Sequence, residues 1–277
     1  MRNTDSAVPP RLPAALFLLL AIQILTPAGQ AGVQSTPAAA SAKSGAEEQA
    51  APREGGAALG ASKAEYVALQ RALKLSAAGK VQLAIAMLEE AVRMAPGYFD
   101  ARLALGDELA KAGRYAEAIA ELERARVLRP DDVRVYQSFG MVLMRQQKYV
   151  LAAAVFGEAV RLNPNAPLHH MMRAVALIYH ANTIKPSASA SAAADRQYFL
   201  GVAEEMLTRA SELSGNRLTA DHLSLAMFYE MKGDRTRAAD ELERYLQETP
   251  EPKNEEAIRA AIKELRHLSD EGYPPPQ

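Results

Sequence analysis

"RMAPGYFDARLALGDELAKAGRYAEAIAELERARVLRPDD", residues 93–132, places Pro96 and Pro130 34 residues apart. Pro164 follows after another 34, and Pro250 after a further 86, which is two periods plus 18. A period of this length with a proline at its end predicts a helical hairpin repeated along the chain. Each proline would close the second helix of one hairpin, because its ring fits neither the preceding helical turn nor an interior hydrogen bond.

The residues between the prolines agree with that reading. Leu105, Gly106, Leu109, Tyr115, Ala118, Leu122, Ala125 and Pro130 recur at the same offsets as Phe139, Gly140, Leu143, Tyr149, Ala152, Phe156, Ala159 and Pro164. The small residues Ala72, Gly106, Gly140, Ala174 and Ala226 mark where the two helices of a hairpin cross closely. Ala84, Ala118, Ala152, Ala203 and Ala238 meet them from the second helix, with Leu88, Leu122, Phe156, Leu207 and Leu242 alongside. Gly79, Gly113 and Gly233 fall in the turns, where a positive φ is easily adopted.

This pattern resembles the tetratricopeptide repeat family, W-x2-L-G-x2-Y, then A-x3-F, then A and P, most closely over residues 99–166. The resemblance implies an all-α, right-handed superhelical solenoid of about five hairpins with a C-terminal capping helix. Repeats are expected at 65–98, 99–132, 133–166, 167–218 and 219–252, and the cap at 254–269. In the fourth repeat "NTIKPSASASAAAD" interrupts the pattern, so a loop insertion is expected over 183–194. Order is expected to begin at "SKAE", with Ser62 and Glu65 as a capping box.

Composition supports closely packed helices. The chain has 277 residues, 49% of them apolar, but only 6% aromatic and no Trp, so small side chains must make much of the core. A formal net charge of -1 gives no overall attraction to nucleic acid or anionic lipid. There is no cysteine, which removes disulfides, thiolate metal sites, a cysteine nucleophile and a lipid-modified N-terminal cysteine.

The N-terminal region reads differently. Arg2 and Arg11 precede an apolar run from Leu12 to Leu25, and small residues stand at Gly29 and Ala31. This is the layout of a signal peptide, residues 1–31, cleaved after Ala31. It predicts an exported protein, periplasmic or secreted, with membrane tethering by an uncleaved signal anchor as the alternative. Residues 32–61 are rich in Ala, Gly, Ser and Pro without apolar periodicity and predict a disordered tether, while 271–277 predict an exposed tail.

The resemblance implies function on the concave face, lined by the first helix of each hairpin. The centre of such a groove is expected at Arg134, Gln137, Met141, Met144, Arg145, Leu168, Met171, Val175, Ile178 and Tyr179. Flanking positions are Tyr66, Leu69, Leu73 and Ala77 in the first unit, Asp100, Leu103, Asp107 and Lys111 in the second, and Leu223, Met227, Glu230 and Met231 in the fifth. Leu69, Leu73 and Leu103 depart from the basic clamp by which some family members hold chaperone carboxylates. A Met- and Leu-rich lining suits an apolar or amphipathic segment instead, since methionine adapts to irregular partners. The same residue types at helical spacing also serve as core; both readings stand for the fourth unit, and core is favoured for the first.

No catalytic motif is present, and the five histidines have no i, i+4 pair of the metal-binding kind. No cofactor, metal or nucleic acid is expected, and no membrane span in the mature chain. The expectation is a non-catalytic scaffold for a protein or peptide partner. The competing expectation is an assembly factor of a cell-envelope complex that stacks on itself without a peptide ligand.

Overall fold

The computed structural model describes residues 63–215, 219–250, 252 and 254–270. They form eleven α-helices: α1 (Lys63–Ala77), α2 (Val81–Met94), α3 (Phe99–Lys111), α4 (Tyr115–Leu128), α5 (Val133–Arg145), α6 (Tyr149–Leu162), α7 (Pro167–Thr183), α8 (Ala190–Ser214), α9 (Thr219–Lys232), α10 (Arg235–Glu248) and α11 (Glu255–Asp270). The expected signal peptide, tether, Ser62 cap and tail lie outside the described residues.

Consecutive helices pair as five hairpins, and α11 packs on α10 as a cap, giving the all-α superhelical solenoid. The first helices α1, α3 and α5 approach one another across successive hairpins, as do α7 and α9, whereas second helices chiefly contact their own partners and the next first helix. First helices therefore line the inner side.

Small residues set the helix spacing. Ala84, Ala118, Ala152, Ala203 and Ala238 are completely buried, and Leu88, Leu122, Phe156, Leu207 and Leu242 are buried beside them. Burying each of these large side chains contributes about 1.5–3 kcal/mol. A Cβ added at Gly106 would lie 2.7 Å from Leu122 Cγ, so glycine there is a packing requirement.

The turns repeat as closely as the core. Lys80, Arg114, Lys148 and Asp234 each donate a backbone hydrogen bond to a carbonyl five residues back, on Leu75, Leu109, Leu143 and Tyr229. The residue before each donor is left-handed: Gly79, Gly113 and Gly233 at φ 71°, 78° and 82°, and Gln147 at φ 59°. This is the helix C-terminal motif in which a left-handed residue lets the chain bond back to the last turn. At the other edge, Arg102 Nε, Tyr136 Oη and His170 Nε2 occupy equivalent positions and donate to the carbonyls of Pro96, Pro130 and Pro164 at 2.6, 2.8 and 2.8 Å. Three different side chains thus hold each first helix to the proline that precedes it.

The fourth repeat departs from the regular dimensions. Its helices are 17 and 25 residues long, against 13 and 14 in the third. The interruption expected over 183–194 is shorter: α7 runs to Thr183, a 3-10 turn spans Pro186–Ala188, and α8 already begins at Ala190. The reason is local. Ser189 Oγ accepts the Ala192 N–H at 3.0 Å, an N-cap, and the alanines after it are the strongest helix formers. Gly215, in place of the usual proline, ends α8 in the left-handed conformation at φ 61°.

Candidate functional site

Equivalent positions on successive first helices form rows across the inner side. The central row is Leu73, Asp107, Met141, Val175 and Met227. Its exposure falls along the chain: Leu73 is 44% exposed, Asp107 and Met141 are partly buried, and Val175 and Met227 are 1% and 0% exposed. The inner side is therefore open over the first three hairpins and filled over the last two.

That gradient sorts the expected groove residues. Met171, Val175 and Ile178 are buried in the core shared by the third to fifth hairpins and the cap, together with Leu223, Met227 and Met231. Helix α7 is apolar on nearly all sides, with Arg173 the one charged residue between Met171 and Ile178, and such a helix is buried by its neighbours. For the fourth unit the core reading holds at these three positions, while Leu168 at the helix start stays exposed. The first unit goes the other way: Leu69 is buried, but Tyr66 and Leu73, favoured as core, are exposed.

Of the third unit's residues, Met141 and Met144 are partly buried against the core edge and keep an accessible face. Gln137 is engaged: its amide donates to His169 Nε2 at 2.8 Å, while His169 Nδ1 faces the Asn163 carbonyl at 3.4 Å. Burial holds the His169 ring below its usual pKa, so it serves as a neutral bridge between hairpins. Arg134 reaches both Asp132 and Asp100, at 2.8 and 2.9 Å, and lies over the Phe99 ring. Tyr179 stacks on Tyr149 with centroids 5.3 Å apart, and burial pushes its hydroxyl up to about 12.

Polar groups gather where the open part of the row crosses α3. The Ser76 hydroxyl and the Lys111 ammonium both donate to Glu108 Oε1, and Lys111 also donates to Ser76 at 2.9 Å, tying α1 to α3. Glu108 is buried, and its Oε2 has no hydrogen-bond partner in the protein. One residue earlier, Asp107 is raised to about 6 by burial, with Glu108 adding to the rise; the Ser138 hydroxyl, Lys111 and Arg145 pull the other way. Arg145 thus lies near the site through Asp107. The open region therefore combines apolar ends, Tyr66 and Leu73 on one side and Met141 and Met144 on the other, with a carboxylate between them.

The stack of two-helix units with an inner row of mixed side chains defines a helical repeat solenoid. Two family models described as Tetratricopeptide repeat match residues 75–139 and 138–184, so this part of the chain consists of tetratricopeptide repeats. Solved structures agree at the level of fold. PilW, described as a widely conserved type IV pilus biogenesis factor, is 16% identical, covers 77% of this chain and 96% of its own, and has a TM-score of 0.57. A thermophilic tetratricopeptide protein from Thermus thermophilus is 18% identical, with 74% and 100% covered and a TM-score of 0.56. MamA of Desulfovibrio magneticus RS-1 is 19% identical, with 68% and 96% covered and a TM-score of 0.52. A comparison with curated protein sequences finds no match. Proteins of this family are typically non-catalytic and bind protein partners. Among the described residues no helix is long and apolar enough to cross a membrane, and no group of three or more His, Cys, Asp or Glu is placed to hold a metal.

Proposed function

We infer that the protein is an exported, non-catalytic scaffold whose first three hairpins hold an apolar or amphipathic segment of a partner protein. The observation that carries this reading is the exposure of Tyr66 and Leu73, 51% and 44%, on the same inner side as the accessible faces of Met141 and Met144. Apolar groups held open at one end of a groove are what an incoming segment would cover. Export rests on the layout of residues 1–31.

Stacking of copies end to end is the weaker reading, because both end faces carry charge. On α1, exposed Arg71 and Lys74 stand at the positions where α3 buries Leu105 and Glu108 and α5 places Phe139 and Val142. At the other end α11 shows Glu255, Glu256, Arg259 and Lys263 outward. Terminal repeats with a polar outer face close a solenoid.

The test is photo-crosslinking in the native host. A benzoylphenylalanine at position 73 or 141 captures a partner, and one at exposed Leu83 on α2 does not. Capture at position 83 alone, or at none of the three, would sink the reading. N-terminal sequencing of the protein from an envelope fraction checks export: a chain starting at Gly32 supports it, and an intact Met1 in the cytosol opposes it.

A further inference from the structure

The open groove differs from a plain apolar slot in one respect: its central row interposes Asp107 between Leu73 and Met141. Lys111, one turn along α3, has its ammonium on Glu108 and Ser76. Asp107 is held by the Ser138 hydroxyl, and Lys111 and then Arg145 act on it as nearby cations. Its neighbour Glu108 has one carboxylate oxygen on Lys111 and Ser76 and the other buried without a partner in the protein. A cation arriving with a ligand would meet the Asp107 carboxylate between the two apolar side chains.

Resting on the peptide-binding reading above, we propose that the groove selects an extended segment carrying a lysine or arginine between two apolar residues, the cation bound at Asp107 and the apolar side chains at Leu73 and Met141. The spacing follows from the geometry of packed helices. Neighbouring first helices lie about 10 Å apart, and an extended chain advances about 3.3 Å per residue. Each apolar residue is therefore about three positions from the cation. Because Asp107 carries its charge only above about 6, the attraction grows as pH rises through that value, with Glu108, Lys111, Ser138 and Arg145 as the groups facing it.

The experiment uses the full chain and three fluorescein-labelled synthetic peptides, Gly-Leu-Ser-Thr-X-Ser-Thr-Leu-Gly, with X as lysine, norleucine or glutamate. Fluorescence anisotropy gives the affinity of each at about pH 5 and pH 7.5. The lysine peptide is expected to bind about tenfold more tightly than the glutamate peptide at the higher pH and to lose most of that advantage at the lower. Asp107→Asn, checked for unchanged helicity by circular dichroism, should remove the discrimination without weakening the norleucine peptide. Equal affinity for all three peptides, with binding still lost in Leu73→Glu, overturns the charge preference and leaves the groove reading intact. Binding by none of the peptides counts against both. If Asp107→Asn does not fold, the peptide series and its pH dependence on the unaltered chain decide the matter.

Discussion

The Cβ that Gly140 lacks would lie 2.2 Å from Phe156 Cε1, inside the van der Waals surface of a ring that is itself 1% exposed. In the other hairpins the facing large residue is leucine, and in three of them the small residue is alanine, as with Ala72 and Leu88. Gly140 and Phe156 thus form a matched pair, the smallest side chain in the chain against the largest at this position.

Gly140→Ala should therefore destabilise the solenoid by about 1–3 kcal/mol through overpacking. Gly106→Ala should cost less, because the nearest atom an added Cβ would meet there, Leu122 Cγ at 2.7 Å, is less close than the 2.2 Å at Gly140. Adding Phe156→Leu to Gly140→Ala recreates the alanine–leucine pairing of the first hairpin and should recover much of the loss. Urea denaturation of the two single variants and the double variant measures all of this; equal costs at Gly106 and Gly140 would contradict the pairing.

Gln147 offers the opposite change. It holds φ 59° at the turn position where three other hairpins have glycine. A side chain in the left-handed region costs about 1 kcal/mol or more, partly offset by the lower unfolded-state entropy of a non-glycine residue. Gln147→Gly should stabilise by about 0.5–1 kcal/mol, read as a rise in the urea midpoint at constant m-value. No rise would mean that the turn relaxes differently from its three counterparts.

What the sequence made legible was whatever the 34-residue period repeats: the hairpins, the buried alanines, the positive-φ glycines and the proline edges. The extent of the groove was less legible, because the period assigns Met171 and Leu73 to the inner side alike and says nothing about how closely successive inner helices approach. The all-apolar stretch of α7 was the available sign that the fourth unit is core. The helical start of α8 was hidden because "SASASAAAD" carries no apolar rhythm, although a serine followed by alanines is a sound helix start. Hydrogen bonds such as Gln137 to His169 join residues 32 apart and became visible only in the folded chain.

Core and groove positions separate in a direct comparison. Met171 is 5% exposed, so Met171→Glu buries an unpaired charge and should cost several kcal/mol or prevent folding. Leu73→Glu, on a side chain 44% exposed, should change stability by no more than about 0.5 kcal/mol while removing partner capture. Circular dichroism melting beside the crosslinking assay distinguishes them. A Met171→Glu protein that folds normally would place that residue in an open groove after all.

The joint between the last hairpin and the cap should respond to pH through Glu230. This residue of α9 has a buried Oε2 with no hydrogen-bond partner in the protein. Burial, and then Glu264 of α11, raise its pKa from 4.5 to about 8, against a smaller opposing pull from Arg235. In the unfolded chain the same group releases its proton near 4.5, so between about 4.5 and 8 the folded state holds a proton that the unfolded state does not. Stability contributed by this residue therefore falls as pH rises through that window and levels off above it. Glu230→Gln keeps the shape and removes the titration. The variant and the parent should match at about pH 4, and the variant should be the more stable by a few kcal/mol above about pH 8, since each tenfold difference in proton affinity between the folded and unfolded chain is worth about 1.4 kcal/mol. Urea denaturation at about pH 4, 6 and 8.5 measures the gap, and a gap that stays constant across the series would show that Glu230 is not the group being titrated.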